Sequence, residues 1–372
     1  MNFNLSDEQK QLADAVRRFI DKDYDFESRK KNIKAEGGHG AAAWGSLVEL
    51  GLTALPVPEA QGGFSGTAVD MMVVQQELGR GMIVEPYLAT VTGAYALRLA
   101  GGQDALLEQV AGGELKLAVA FGEAQSRYAL NDVRTTATGD KLNGRKVVVL
   151  HGAQADKLIV SARASGAQAE EGGLSLYLVD TKGAGVKVTD YRTLDNLHAA
   201  DVEFTDAPAQ LLGKAGEAWP LIEQTADYAA VLLCAEAVGL MDAINAATLE
   251  YAKTRQQFGV PIARFQALQH RMTEMFIQAE QSRSITLLAA ARFDDASAEE
   301  RRHYVSAAKA RVGQAARYCG QEAVQIHGGM GVTDELPAGH MFKRLTLINT
   351  TFGDVDHHLA RFASQPGFQE AA

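Results

Sequence analysis

Arg255-Gln256-Gln257-Phe258-Gly259 and Gln325-Ile326-His327-Gly328-Gly329-Met330-Gly331 are the two stretches that decide how this chain is read. Each closes a long helical pattern. A guanidinium fork such as Arg255 can hold a pyrophosphate through two hydrogen bonds, and an aromatic three residues later can pack on a dinucleotide's ring or sugar. The plainer reading of Arg-x-x-Phe is a surface cation followed by a core aromatic. In the second stretch, glycines remove side chains where backbone amides would approach phosphate oxygens. The plainer reading there is a helix stop. It is not a Rossmann fingerprint, because it follows a helix and lacks the G-x-G-x-x-G spacing.

Outward from these stretches the chain divides into three zones. Helical periodicity runs from Ile222 to about Arg255, from Gln266 to about Phe293 and from Ser297 to about Ile326, which suits an antiparallel bundle. Ser297 stands three residues before Glu300, a capping-box signature. Residues from about 115 to 212 read as short strands: Leu117–Phe121, Val133–Thr138, Lys146–Leu150, Leu158–Ala162, Leu174–Val179, Val186–Thr189 and Val202–Thr205. Gly, Asp and Asn separate them, which predicts a compact antiparallel barrel or sandwich. Residues from about 5 to 112 are helical, opened by a second capping box, Ser6 to Gln9, with Leu12, Val16, Phe19 and Ile20 on one face. The expectation is an α+β chain: an N-terminal helical domain (1–113), a middle β domain (114–213) and a C-terminal four-helix bundle (214–372).

Composition narrows the function. The 372 residues are 47% apolar and carry a formal charge of −10, which argues against a nucleic-acid binder needing a basic stripe. Cys234 and Cys319, the two cysteines, lie in apolar helical stretches and are expected to be buried free thiols. Met1–Leu5 shows no basic region followed by an apolar one, so no secretory signal is expected. The apolar run Ala229–Leu240 carries Glu236 and reads as buried helix, with no membrane span expected. A cytoplasmic location is the plain inference.

Together the two motifs, with Tyr251-Ala252 before the first, Gly259-Val260-Pro261-Ile262 and Phe265-Gln266 after it, and Glu335-Leu336-Pro337 after the second, resemble the FAD-binding elements of the acyl-CoA dehydrogenase family. The α–β–α order is a second point of resemblance. The resemblance implies that Arg255, Gln257, Phe258, Gln266, Gln325, Gly328 and Gly329 contact the FAD of a neighbouring subunit. It also implies an acyl-CoA substrate and electron transfer to an electron-transferring flavoprotein.

The match decays where the family would supply the rest of the site. Its early Thr-Glu-Pro segment reads Gly122-Glu123-Ala124 here, and Asn131-Asp132 stands in the region of its Ser-Asp. After a kept Asn143-Gly144-x-Lys146, Val148 stands where a flavin-covering tryptophan would be and Leu150 where a flavin-bonding threonine would be. Losing hydroxyl donors there costs ~1–3 kcal/mol per unpaired partner. Abstraction of the α-proton needs a carboxylate. Phe352 aligns with the usual glutamate, and Ala229 and Ala230 occupy the alternative base position and its neighbouring arginine. Asp354 and Asp356 are the remaining weak candidates. With His357 and His358 they superficially resemble a metal or acid–base cluster, but adjacent histidines on a helix point about 100° apart, so no metal is expected.

The stretch Phe342-Lys343-Arg344-Leu345 and Asn349 to Leu359 is similar to small subunits of pimeloyl-CoA dehydrogenase. The implied function is a base-lacking small subunit of an α2β2 heterotetramer that completes the FAD site of a catalytic large subunit. The substrate would be a dicarboxyl- or steroid-derived CoA thioester. Alternatives are a self-sufficient homomeric dehydrogenase using Asp354 or Asp356, a flavin-dependent monooxygenase on the same fold, and a purely structural subunit.

Overall fold

A computed structural model describes residues 4–365. Six helices come first: α1 (Asp7–Asp23), α2 (Phe26–Lys34), α3 (Ala41–Glu49), α4 (Ala68–Gly81), α5 (Tyr87–Ala100) and α6 (Asp104–Ala111). Eight strands follow: β1 (Leu117–Ala120), β2 (Thr136–Thr138), β3 (Lys141–Leu150), β4 (Lys157–Arg163), β5 (Leu174–Asp180), β6 (Val186–Arg192), β7 (His198–Pro208) and β8 (Gln210–Leu212). Then come α7 (Trp219–Thr254), a short hairpin of β9 (Gln256–Gln257) and β10 (Val260–Pro261), α8 (Gln266–Phe293), α9 (Ala298–His327), α10 (Pro337–Thr350) and α11 (Val355–Ala363). The chain falls into two compact units, one built on the eight-stranded sheet and one mainly helical.

The helical unit takes α1, the start of α2, α4 and the chain from Ala230 onward. Both predicted capping boxes are formed, Ser6 with Gln9 at α1 and Ser297 with Glu300 at α9. The apolar face of α1 (Val16, Phe19, Ile20) is buried, and α1 packs on α4. α9 is the central helix, packing on α8, α10 and α11. The α7 and α8 helices are linked by Arg283 to Asp242 at 2.6 Å and by Asn245 to the Met275 carbonyl at 3.2 Å. Two glycines let α4 and α7 touch backbone to backbone. A Cβ on Gly79 would lie 2.3 Å from the Glu236 carbonyl oxygen, and one on Gly239 would lie 1.8 Å from that of Gln76.

Glu236, which the sequence places inside an apolar run, is not a stray charge. Arg344 of α10 donates to both of its carboxylate oxygens, at 2.5 and 2.8 Å, and Gln75 adds a third bond at 3.2 Å. A buried charge needs such complete pairing, because removing one partner costs about 3–5 kcal/mol. Cys234 and Cys319 are buried free thiols, and burial pushes both up to about 12. The most apolar window of α7 is 78% buried within the protein.

The sheet unit runs β6-β7-β3-β2-β4-β5-β8, with β1 pairing on β4. Most neighbours are antiparallel, as expected. The expectation of a purely antiparallel sheet is corrected at β4, which pairs parallel with β1 from Leu117↔Lys157 to Ala120↔Val160 and with β2 at Thr136↔Arg163. Strand direction leaves no trace in alternation, and this pairing joins segments far apart in sequence. β4 and β5 are buried on both faces, hence their unbroken apolar runs. One face joins Leu117, Ile159, Leu176 and Leu178; the other joins Ala118, Val160, Tyr177 and Val202. Only Thr136–Thr138 of the predicted strand 133–138 is strand. The guanidinium of Arg163 explains the rest of that segment. It donates to the carbonyls of Asn131, Val133, Ser165, Gln168, Glu170 and Gly172, folding the β4–β5 loop onto residues 131–133.

Candidate functional site

In the helical unit the two motifs are brought together. α7 ends at Thr254, and the next residues turn back as a two-residue hairpin with Val260 opposite Gln257 and Pro261 opposite Gln256. Phe258 and Gly259 are its central residues, with φ of 53° and 78°. Positive φ at both positions is what a type I′ turn requires. Glycine adopts it freely; phenylalanine does so at a cost of about 1–2 kcal/mol. The strain presents the Phe258 ring to solvent at 90% exposure, so Phe258 is not the core aromatic of the plainer reading. Its ring meets that of Phe265 edge-on, 6.1 Å between centroids.

Arg255 is exposed, and among the described residues its guanidinium has no hydrogen-bond or ion-pair partner. Gln257 and Gln266 are exposed beside it, Gln266 as the first residue of α8. On the other motif, Gln325 is exposed in the last turn of α9, and Gly328 caps that helix with φ 60°. Gly328 and Gly329 face open space, where an added Cβ would meet nothing within 4 Å. Gly331 has a different reason to be glycine: its Cβ would press on the Val324 carbonyl at 2.8 Å. What joins the motifs is a ring pair. Tyr251 in the last turn of α7 stacks on His327, the last residue of α9, with centroids 4.3 Å apart, and its hydroxyl donates to the His327 carbonyl at 3.2 Å.

The turn between α10 and α11 carries Phe352. It is half-buried with φ 53°, followed by Gly353 at φ 104°. The backbone of this turn is held from two sides. Lys309 of α9 donates to the carbonyls of Ile348, Asn349 and Gly353 at 2.9, 3.2 and 2.7 Å, and His358 donates to that of Phe352 at 2.9 Å. Burial, followed by the nearby Lys309 charge, drives the His358 imidazole down to about 2, so it is neutral. Burial also lowers Lys309, to about 8. Asp354 caps α11, its carboxylate accepting the His357 amide at 2.9 Å, while Asp356 is exposed in the first turn. The His357 and His358 rings stand at 85° to each other. No group of three or more His, Cys, Asp or Glu able to hold a metal occurs among the described residues. Ala229 and Ala230 are buried in α7.

Sequence reasoning missed Lys309. The signal was available: Val305, Lys309, Val312 and Ala316 share one helical face, so a lysine sits at a core position.

In the sheet unit, β3 slips register against β7 between Lys146 and Val149. Val148 stands at this bulge with φ 52° and 59% exposure, and Leu150 is half-buried. Below them Glu123 and Lys146 form a buried pair at 2.8 Å. Glu123 also accepts the amides of Arg134 and Thr135 at 2.8 and 3.0 Å, and Lys146 also donates to Ser161 and to the Phe121 carbonyl. Burial alone would raise the Glu123 carboxyl; the Lys146 charge and these donors override it and bring it to about 2. The kept Glu123 and Lys146 of the sequence motifs are thus committed to each other.

The resemblance implies an FAD beside these residues. A guanidinium without a partner among the described residues, an exposed ring and two open glycines fit a dinucleotide diphosphate and its attached ring system. Val148 and Leu150 carry no side-chain hydrogen-bond donor for the polar edge of a flavin that the resemblance implies there.

Profiles for the N-terminal, middle and C-terminal domains of acyl-CoA dehydrogenase match residues 6–111, 118–207 and 216–365. Acyl-CoA dehydrogenase IpdE2 of Mycolicibacterium smegmatis is 29% identical, over 91% of this chain and 93% of its own. Glutaryl-coenzyme A dehydrogenase in complex with glutaryl-CoA superposes with a TM-score of 0.92 at 25% identity, over 100% of this chain and 98% of its own. The Tcur3481–Tcur3483 steroid ACAD superposes with a TM-score of 0.89 at 25% identity, covering 98% and 99%.

Proposed function

The chain belongs to the acyl-CoA dehydrogenase family, and from that premise we propose that it is the base-lacking partner subunit of a heteromeric, FAD-dependent acyl-CoA dehydrogenase. In this reading two copies join two catalytic large subunits in the cytoplasm. Arg255, Gln257, Phe258 and Gln266 from the hairpin side, and Gln325, Gly328 and Gly329 from the glycine turn, reach the FAD seated on the large subunit. The domain division at 1–113, 114–213 and 214–372 belongs to the same proposal.

The observation that carries it is the turn at Phe352. Lys309 and His358 hold its backbone with four hydrogen bonds, yet the side chain at 352 cannot accept a proton. A fully supported turn without a carboxylate suits a chain whose chemistry is completed elsewhere. The exposed Phe258 ring and the exposed Arg255, whose guanidinium has no partner among the described residues, support the same reading, because such groups are available to another molecule.

Bound FAD supplies the hydride acceptor of the reaction. This chain's part is binding and orientation. The Arg255 charge offsets the diphosphate, the Phe258 ring covers apolar cofactor surface, and the amides around Gly328 and Gly329 accept close approach. The large subunit supplies the carboxylate that takes the α-proton, and an electron-transferring flavoprotein receives the electrons. A dicarboxyl- or steroid-derived CoA thioester is the proposed substrate class, supported by the glutaryl-CoA and steroid neighbours.

Native mass spectrometry on the assembly captured from its host through a tag on this chain tests the reading. Two copies of each of two chains with two FADs are expected, with no acyl-CoA oxidation by this chain alone. A homo-oligomer with one FAD per chain and acyl-CoA turnover would overturn it.

A further inference from the structure

The two cofactor motifs are separated by some seventy residues, and one pair of side chains closes that distance. The Tyr251 carbonyl accepts the Arg255 amide at 2.8 Å, so the backbone that carries the guanidinium is tied to the tyrosine. The Arg255 carbonyl accepts the Ile262 amide at 2.9 Å, closing the hairpin on its far side. From the same tyrosine the hydroxyl reaches the His327 carbonyl, one of the last in α9 that helix geometry leaves without an intrahelical donor. The rings lie 25° from parallel. His327 is fixed in turn by its own helix. Its Nδ1 lies 2.8 Å from the Ala323 carbonyl, which only accepts, so Nδ1 carries the proton. Burial lowers the imidazole below its ordinary value. The next residue is Gly328. Tyr251 is half-buried and His327 buried, so neither ring is presented to a ligand as Phe258 is.

We propose that Tyr251 and His327 are positioning residues: their stacked rings and the hydroxyl-to-carbonyl bond lock the Arg255–Gly259 hairpin to the Gly328–Gly331 turn, so that one diphosphate is gripped by both as a single unit. This rests on the reading that these loops contact FAD. Without the bridge, each loop would have to be ordered separately on binding, and affinity would fall although every contacting group is still present.

The experiment measures FAD dissociation from the tag-captured assembly by the fluorescence of released flavin, with subunit stoichiometry and the Tm of the FAD-free assembly recorded in parallel. Tyr251→Ala is expected to weaken FAD binding at least tenfold. Tyr251→Phe, which keeps the stack, should recover most of that loss. His327→Leu, which keeps apolar bulk and removes the ring, provides the same test should Tyr251→Ala fail to assemble. Tyr251→Ala and Arg255→Ala combined should cost clearly less than the sum of the two single losses, since part of the bridge's effect runs through Arg255. Weak FAD binding in Arg255→Ala with normal binding in Tyr251→Ala and His327→Leu overturns the bridge and leaves the cofactor reading standing. Additive losses, or a fall in Tm without loss of affinity, overturn the bridge as well. Unchanged binding in Arg255→Ala overturns the cofactor reading and the bridge with it.

Discussion

Phe258 holds a backbone conformation that glycine or asparagine would hold at lower cost, and this sets stability against function at one position. Asn-Gly is the sequence a type I′ turn favours. Phe258→Asn is therefore expected to stabilise the chain by about 0.5–1 kcal/mol in urea unfolding while weakening FAD retention in the assembly. A destabilised variant would show that the exposed ring is tied to the fold. His358 makes the complementary case inside the protein. Its folded-state value is depressed to about 2, far below that of the unfolded chain. The unfolded chain thus takes up a proton that the folded one refuses, and stability present above pH ~6.5 is lost as pH falls toward the folded value. His358→Gln removes that linkage. Between pH 7 and 5 the wild type should lose about 1–2 kcal/mol more than the variant, read from urea midpoints at the two values.

At the level of elements, glycines separate by what faces them. Gly239 of α7 lies against the Gln76 carbonyl, and a methyl group there must push α4 and α7 apart. Gly239→Ala is expected to destabilise by about 1–3 kcal/mol, the usual cost of overpacking. Gly45 in α3 faces nothing within 4 Å, so Gly45→Ala should stabilise by about 0.5–1 kcal/mol through helix propensity. Thermal unfolding of both variants checks the contrast, and equal signs would refute it. The helices themselves were legible beforehand, because Ser6, Ser297 and the 3.6-residue apolar period act within a few residues of one another. The strands were legible as strands but not as pairs. β1 and β4 lie parallel through contacts that no local window contains. Arg163 was unreadable for the same reason, since its six carbonyls come from two separate loops.

At the level of the whole molecule, the proposed division of labour predicts the outcome of a single repair. Phe352→Glu restores a carboxylate on a turn already held by Lys309 and His358, but Val148 and Leu150 still offer a flavin no hydroxyl. The isolated variant is expected to show no acyl-CoA-dependent dye reduction above the wild-type chain. Robust activity would mean that the chain lacks only its base, and the partner-subunit reading would fall. The sequence by itself determined the family and the long helices of the C-terminal half, because both depend on residue type at counted positions. Only the tertiary structure decided that Glu123 and Glu236 are committed to Lys146 and Arg344, that Lys309 supports the Phe352 turn, and that Tyr251 and His327 join the two motifs. Those contacts join residues from separate elements, and a charge or ring declares its partner only when packing has brought the two within reach.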